Sequence, residues 1–223
     1  MSIERAVIFA NGVLRPSRRL RSLILPTDLL IAADGGARRC LSLGFTPTVV
    51  IGDLDSISPT QRERLAAQGT RFVIHPRDKD QTDLELALSY AVSQQVGEIL
   101  LLALLGGRLD QTLANLLLLS RAEWGSARLI VAEEHDMAYL LRSAETLTLS
   151  GRSGDTISLI SLSPQVTSVR AEGVHWPLEG ATLHFGSTLS ISNEMVNTVA
   201  RFAVGEGQLL IIHHPRSNHP RSK

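Results

Sequence analysis

The sequence is poor in several residue types, and each shortage excludes a class of protein. Cys40 is the only cysteine among 223 residues, which excludes an internal disulfide and a cysteine-rich zinc site. Acidic and basic residues balance at 22 each, so no excess charge attracts the chain to nucleic acid or to an acidic membrane. No apolar run reaches the roughly 18 residues of a membrane span, and Met1–Arg5 lacks the pattern of a secretory signal. We therefore expect a cytoplasmic protein with no nucleic-acid or membrane partner.

The chain also lacks two familiar phosphate-binding motifs. Neither GxxxxGK[ST] nor GxGxxG occurs, which excludes a P-loop and a standard dinucleotide fingerprint. Lysine is almost absent: the chain has two lysines and twenty arginines. One of the two lysines, Lys79, lies among aspartates, and seven of the ten aspartates fall in the 77-residue stretch from Asp34 to Asp110. A charge-dependent function is therefore expected to be local to this stretch.

The hydrophobic pattern changes its period after the first 135 residues. Before that point, short β-branched or leucine-rich runs alternate with helical patterns, which predicts a Rossmann-like α/β domain: a mainly parallel sheet flanked by helices. Short strands without helices follow, among them 156–162 and 188–191, and predict an all-β sandwich. We assign residues 1–138 to the α/β domain and 139–213 to the sandwich. Residues 214–223 repeat a Pro-containing pentapeptide (HPRSN, HPRSK) and are predicted to be a disordered tail.

Aspartates follow four of the predicted strands, at the end of a parallel sheet where ligands bind. They are Asp34, Asp53, Asp55, Asp78, Asp80, Asp83 and Asp110. A local role is open for single members: a turn for Asp34, the first turn of a helix for Asp83, or an N-cap for Asp110. Asp53 and Asp55 fit that interpretation less well, since their i, i+2 spacing in an extended segment points both carboxylates to one side. The set predicts a site for Mg²⁺ or Mn²⁺, because close carboxylates repel one another unless a cation neutralises them.

Groups suited to phosphate lie in the same loops, and magnesium held by few carboxylates usually holds phosphate as well. Gly35-Gly36 and Gly106-Gly107 each precede a predicted helix, whose first backbone N–H groups attract phosphate oxygens. Lys79 and Arg108 are cations suited to the charge that builds up in phosphoryl transfer. Either cation can instead form an ion pair with a neighbouring aspartate.

Four ordered motifs resemble those of the thiamine pyrophosphokinase family. They are Ala33-Asp34-Gly35-Gly36-Ala37, Gly52-Asp53-Leu54-Asp55-Ser56, Lys79-Asp80-Gln81-Thr82-Asp83-Leu84-Glu85-Leu86-Ala87 and Gly106-Gly107-Arg108-Leu109-Asp110. Two later segments are similar to the family's thiamine-binding segments: Gly173-Val174-His175-Trp176-Pro177-Leu178 and Ser190-Ile191-Ser192-Asn193-Glu194. The resemblance covers nearly the whole chain.

The resemblance implies an enzyme that transfers the pyrophosphoryl group of ATP to thiamine, working as a homodimer with thiamine at the subunit interface. It implies that Mg²⁺ or the polyphosphate is held by Asp53, Asp55 and Asp80, with Asp34, Asp83, Arg108 and Asp110 completing the catalytic site. Contacts to ATP are implied for Gly35, Gly36, Lys79, Gln81, Thr82, Arg108 and Gln111. Contacts to thiamine are implied for Trp176, Ser190, Ser192 and Asn193.

Several alternatives stay open at this level. Asp80, Asp83 or no protein group takes the proton from the thiamine hydroxyl, and Gln111 stands where many bacterial members of the family have histidine. A Trp face suits the cationic thiazolium, but Trp176 also fits the core of a sandwich. Ser190, Ser192 and Asn193 also fit strand ends and turns. Alternative functions are a pyrophosphokinase for another alcohol such as a hydroxymethylpterin, a nucleotide pyrophosphohydrolase, and a non-catalytic nucleotide or thiamine binder.

Overall fold

The computed structural model describes residues 4–216, which form two compact units that divide between Glu134 and His135. The division lies upstream of the predicted boundary after residue 138, because the strand Met137–Leu141 pairs with a strand of the second unit. No helix within residues 4–216 is long and apolar enough to cross a bilayer.

The first unit is an α/β domain with a parallel sheet, as the sequence predicts. Its strands, in chain order, are β1 (Arg5–Phe9), β2 (Leu29–Ala33), β3 (Val49–Gly52), β4 (Arg71–Ile74), β5 (Glu98–Leu102) and β6 (Arg128–Ala132). They pair in the order β6-β5-β1-β2-β3-β4, and every pair is parallel. The central strands are nearly continuous apolar runs because helices cover both faces of such a sheet.

The helices of this unit lie between the strands. They are α1 (Arg18–Ser22), α2 (Gly36–Ser42), α3 (Pro59–Ala67), α4 (Asp83–Ser93) and α5 (Leu109–Leu118), with a 3₁₀ turn at Ala122–Trp124. Capping signals fix where two of them begin. Ser58 caps α3 in a reciprocal pair with Gln61, and the Thr82 side chain accepts a hydrogen bond from the Glu85 N–H at the start of α4. The start of α4 places Asp83 directly after its cap, at the carboxyl end of the sheet.

The second unit is a β-sandwich of two antiparallel sheets. Its strands are β7 (Met137–Leu141), β8 (Thr146–Ser150), β9 (Thr156–Ser161), β10 (Gln165–Glu172), β11 (Leu178–His184), β12 (Asn193–Glu194), β13 (Val199–Ala203) and β14 (Leu209–His214). One sheet has the order β12-β9-β14-β7 and the other β11-β10-β13-β8. Alternate residues of both sheets, such as Leu159, Val169 and Phe202, fill the core between them.

Three details differ from the sequence prediction. Residues 188–191 do not form a strand. The Ser190 carbonyl accepts the Leu159 N–H on β9, as in a strand pair, but the donor to the Leu159 carbonyl is the Ser190 hydroxyl and not a backbone N–H. Residues 137–141 form a strand across the predicted domain boundary after residue 138. Order also extends past the predicted start of the tail, since His214 ends β14 and the Arg216 N–H binds Asp155. Residues 217–223 of the predicted tail lie outside the described residues.

Candidate active site

Three carboxylates meet at the carboxyl end of the parallel sheet. Asp34 directly follows β2, Asp53 directly follows β3, and Asp83 is the first residue of α4. Each offers one oxygen atom, and these oxygens all lie within 4.8 Å of one another. Carboxylate oxygens at this spacing are ligands that Mg²⁺ or Mn²⁺ can share.

Backbone geometry and a glycine make this close approach possible. Asp34 has a left-handed backbone (φ 42°), and its N–H donates to the Ile51 carbonyl at 2.8 Å, which ties the end of β2 to β3. Gly52 (φ 148°) lies between the carboxylates. A Cβ atom at Gly52 would lie 2.9 Å from Asp83 Oδ1, closer than real Cβ atoms approach, and 3.0 Å from Asp34 Cβ, which is a tight contact. The glycine therefore leaves room for the acidic cluster.

The protein neutralises the negative charge of the cluster only in part. Asp34 is 4% exposed, and its Oδ1 atom has no hydrogen-bond partner within residues 4–216. Lys79 Nζ pairs with Asp83 Oδ1 at 3.0 Å. Burial raises the pKa of Asp83, the neighbouring charges of Asp34 and Asp53 add to the rise, and Lys79 opposes it without cancelling it. One lysine among three carboxylates leaves negative charge that a divalent cation would neutralise, so the residues fit such an ion.

The cluster differs from the metal set inferred from the sequence, which joined Asp53 to Asp55 and Asp80. Asp55 is exposed, and its N–H donates to Asp53 Oδ1 at 3.1 Å. Leu54 between them has φ 63°, so the segment turns and the two side chains lose the common direction that an extended chain would give them. Asp80 is exposed in the loop before α4. The structure thus groups Asp53 with Asp34 and Asp83.

A cavity of about 480 Å³ opens beside this cluster. Of the residues that the sequence associated with ATP or catalysis, it is lined by Asp34, Lys79, Gln81, Thr82, Asp83, Arg108 and Gln111, and Gly106 and Gly107 also border it. Gly35 and Gly36 are not among the lining residues. Gly36 is required by packing instead, since a Cβ there would lie 1.9 Å from the Phe9 carbonyl oxygen on β1.

Three further polar residues line the cavity and were not singled out from the sequence. Arg77 lies two residues before Lys79, and the loop after β4 was already known to carry a cation. Asn11 follows β1, the central strand, and so lies at the same edge of the sheet. Asn115 lies one helical turn after Gln111 on α5, and its Nδ2 donates to the Leu104 carbonyl at 2.9 Å. Arg77 and Asn11 could have been predicted from their positions after strands, and Asn115 from its spacing of one helical turn after Gln111.

Arg108 and Asp110 form an exposed ion pair at the start of α5. Arg108 Nε donates to Asp110 Oδ1 at 3.1 Å, and this contact together with the Gln111 N–H lowers the pKa of Asp110. The alternative that Arg108 pairs with a neighbouring aspartate therefore holds in this structure. Asp110 does not line the cavity, whereas Arg108 does.

In the second unit, Trp176 is a surface residue. Its side chain is 59% exposed and meets the ring of His175 edge-on, with ring centroids 4.5 Å apart. This exposure rules out the interpretation of Trp176 as a sandwich-core aromatic. An exposed indole face is available to a flat or cationic ligand.

The polar residues near Trp176 are mostly engaged by the protein itself. Asn193 is 7% exposed; its Oδ1 accepts the Trp176 N–H at 3.1 Å and its Nδ2 donates to the Trp176 carbonyl at 2.7 Å. Ser190 Oγ donates to the Leu159 carbonyl at 2.8 Å. Ser192 is exposed, with φ 61°, and its N–H donates to Ser158 Oγ at 3.1 Å. The side chains of Asn193 and Ser190 thus bind backbone groups, while Ser192 is exposed.

An acidic cluster and cationic side chains around one cavity at the carboxyl end of a parallel sheet define a class: α/β proteins built to handle phosphate groups. A family model described as "Thiamin pyrophosphokinase, catalytic domain" matches residues 20–131, and one described as "Thiamin pyrophosphokinase, vitamin B1 binding domain" matches residues 144–209. The chain belongs to the thiamin pyrophosphokinase family.

Individual relatives agree with that assignment. The thiamine pyrophosphokinase of Bacillus subtilis (strain 168) is 29% identical over 184 residues, which cover 82% of this chain and 86% of that protein. Thiamine pyrophosphokinase 1 of Oryza sativa subsp. japonica is 28% identical over 189 residues, covering 74% and 71% of the two chains. The crystal structure of thiamine pyrophosphokinase from Bacillus subtilis superposes with a TM-score of 0.84 at 27% identity, covering 96% of this chain and 100% of that one. That of thiamin pyrophosphokinase from Geobacillus thermodenitrificans gives 0.80 at 27% identity, covering 96% and 99%.

Proposed function

We propose that this chain is a thiamine diphosphokinase, which transfers the pyrophosphoryl group of ATP to the hydroxyl of thiamine and releases AMP. Family membership supports the choice of substrates. The observation that carries the chemistry is the cavity in which Asp34 and Asp83 face Lys79, Arg77 and Arg108. Carboxylates beside cations are what a polyphosphate with a bound divalent cation requires.

The reaction is an in-line attack of the thiamine hydroxyl oxygen on the β-phosphorus of ATP. The bond between the β-phosphorus and the bridging oxygen breaks, and AMP leaves with that oxygen. Positioning and electrostatic stabilisation supply most of the acceleration in such transfers. Lys79, Arg77 and Arg108 bind phosphate oxygens and balance charge on the departing AMP.

A divalent cation, Mg²⁺ or Mn²⁺, would be held by Asp34, Asp53 and Asp83, whose oxygens are already grouped. It would supply positive charge that draws electrons from the phosphoryl group. Asp55 and Asp80 are exposed carboxylates outside this group, and in this proposal they do not hold that cation. Of the two candidates for accepting the hydroxyl proton, Asp83 lines the cavity and Asp80 does not. Because Asp83 would also hold the cation and pairs with Lys79, its choice as the proton acceptor depends on its position in the cavity alone.

Thiamine would bind against Trp176, whose exposed face suits the cationic thiazolium ring. Ser192 offers a hydroxyl in the same region. We propose further that the protein is a homodimer with the thiamine site at its interface, as the family resemblance implies. The cytoplasm is the proposed compartment.

Cys40 is buried, and burial raises the pKa of its thiol to about 12. The thiol therefore stays protonated at neutral pH.

The test is product formation by the purified full chain. AMP and thiamine diphosphate are measured in the same samples, with Mg²⁺ and ATP, with and without thiamine. We expect both products in equal amounts and only when thiamine is present. AMP without an acceptor would identify a nucleotide pyrophosphohydrolase, and no AMP in the presence of thiamine would remove this function.

A further inference from the structure

A buried carboxylate in the second unit joins the end of the described chain to the sandwich. Asp155, just before β9, is 1% exposed. Its Oδ2 accepts the Arg152 N–H at 2.9 Å and His213 Nε2 at 2.9 Å, and its Oδ1 accepts the Arg216 N–H at 2.8 Å. Arg216 belongs to the first copy of the repeated pentapeptide, which the proposed reaction does not use.

The same loop holds the segment around Met195 through its backbone. The Met195 N–H donates to the Asp155 carbonyl at 2.8 Å, and the Gly154 N–H donates to the Met195 carbonyl at 2.8 Å. Packing is tight here, since a Cβ at Gly151 would lie 2.7 Å from both Asp155 Oδ2 and Met195 Sδ. A movement of the Asp155 carboxylate would therefore be transmitted to residues 194–196.

Residues 193–196 in turn hold the segment that carries Trp176. The His175 N–H donates to the Glu194 carbonyl at 2.8 Å, and the Val196 N–H donates to the Gly173 carbonyl at 3.0 Å. The side chain of Asn193 binds both backbone groups of Trp176. Hydrogen bonds and the backbone between them thus connect Arg216, through Asp155 and residues 193–196, to the backbone of Trp176.

We propose that Asp155 and the backbone N–H of Arg216 are positioning groups for Trp176, so that the start of the C-terminal repeat supports the thiamine site. The inference rests on the proposed role of Trp176 in binding thiamine. Neither group touches a substrate; both act by fixing the loop from which residues 193–196 are held. Burial opposes ionisation of Asp155, but the hydrogen bonds from the Arg216 N–H and His213 outweigh it and lower its pKa, which keeps the carboxylate charged.

The decisive comparison is Arg216→Pro against Arg216→Ala in the full chain. Proline removes the backbone N–H that binds Asp155, whereas alanine keeps the N–H and removes only the side chain. We expect Arg216→Pro to raise the thiamine KM on the order of three- to tenfold, with kcat and the ATP KM unchanged, because a hydrogen bond to a charged group is lost. Arg216→Ala is expected to match the wild type. A wild-type thiamine KM in Arg216→Pro, or an equal rise in both variants, would overturn the proposal.

A second measurement does not depend on turnover. The chain has two tryptophans, and Trp124 is 1% exposed, so acrylamide reports mainly on Trp176. We expect Arg216→Pro and Asp155→Asn to change the acrylamide quenching constant, and Arg216→Ala to leave it unchanged. Unchanged quenching in Arg216→Pro would refute the positioning role. If the wild type forms no thiamine diphosphate, the proposed function fails, and quenching still decides whether the tail positions Trp176.

Discussion

The side-chain amide of Asn193 holds the backbone of Trp176 at both of its polar groups, with distances of 3.1 Å to the N–H and 2.7 Å to the carbonyl. Trp176 is thereby fixed at its backbone while its indole is 59% exposed. An exposed aromatic on a fixed backbone is well suited to bind a flat ligand, since the backbone that carries it need not be ordered on binding. The sequence placed Asn193 among ligand contacts, but this geometry gives it a supporting role.

We expect Asn193→Ala to raise the thiamine KM on the order of tenfold, because the indole is misplaced when its backbone is released. The ATP KM is expected to stay at its wild-type value. Asn197→Ala, an exposed asparagine four positions along the same segment, is the matched control and should behave as wild type. A thiamine KM that is unchanged in Asn193→Ala would contradict the supporting role.

The grouping of carboxylates predicts which variants lose metal-dependent turnover. Asp34→Asn and Asp53→Asn are expected to lower kcat on the order of a hundredfold or more and to raise the Mg²⁺ concentration needed for half-maximal activity. Asp80→Asn, which removes an exposed carboxylate outside the cluster, is expected to need Mg²⁺ at the wild-type concentration. Mg²⁺ titrations of the initial rate provide the measurement. A shift in Asp53→Asn and Asp80→Asn without one in Asp34→Asn would favour the set inferred from the sequence.

Gly52 allows a test of space independent of charge. Gly52→Ala places a Cβ against Asp83 and Asp34, whereas Gly69→Ala places one where nothing lies within 4 Å; both glycines have positive φ (148° and 89°). Backbone strain should lower the free energy of unfolding of both variants by about 1 kcal/mol or more. Only Gly52→Ala is expected to lose activity, on the order of a hundredfold, because it displaces the carboxylates. Full activity in Gly52→Ala would show that the cluster tolerates displacement.

The proposed homodimer with a site shared between subunits predicts complementation between two variants of low activity. Asp53→Asn affects the first unit and Trp176→Ala the second, so a mixed dimer retains one intact site. Co-expression is expected to restore up to about a quarter of wild-type activity when subunits pair at random. Co-expression of Asp53→Asn with Asp83→Asn is the control and should restore none, because both changes affect the same unit. Failure of the first pair to recover activity would argue against a site shared between subunits.

Asp155 predicts how stability depends on pH. Its pKa in the folded protein is lowered, so the stabilisation it provides is fully present above its unfolded pKa, about 3.9, and is lost as the pH falls through the lower folded value. Urea unfolding of wild type and Asp155→Asn should show a difference in free energy that is constant above about pH 5 and shrinks below about pH 4. A difference that does not depend on pH down to pH 3 would mean that the carboxylate is not ionised in the folded state.

Much of the fold could be predicted from the sequence because the relevant signals are local. Strand β6 and the starts of α3 and α4 follow from apolar runs and capping residues that lie within a few positions of one another. The predicted strand at residues 188–191 was wrong. Their composition suits a strand, but the Ser190 hydroxyl, and not a backbone N–H, donates to the Leu159 carbonyl. Strand β7 was missed because its pairing with β14 lies about seventy residues away in sequence, beyond any local pattern.

The candidate site shows the same limit. The sequence by itself determined that aspartates and cations gather at the carboxyl ends of parallel strands, since the position of each loop after its strand follows from periodicity. Only the tertiary structure decided which of them meet. The left-handed backbone of Leu54 turns Asp55 away from Asp53, and the lack of a side chain at Gly52 leaves room for Asp34 and Asp83. It also decided that Trp176 lies at the surface and that Asn193 supports it. Such choices depend on the angle of single residues and on contacts between distant segments, which hydrophobic pattern and residue type do not encode.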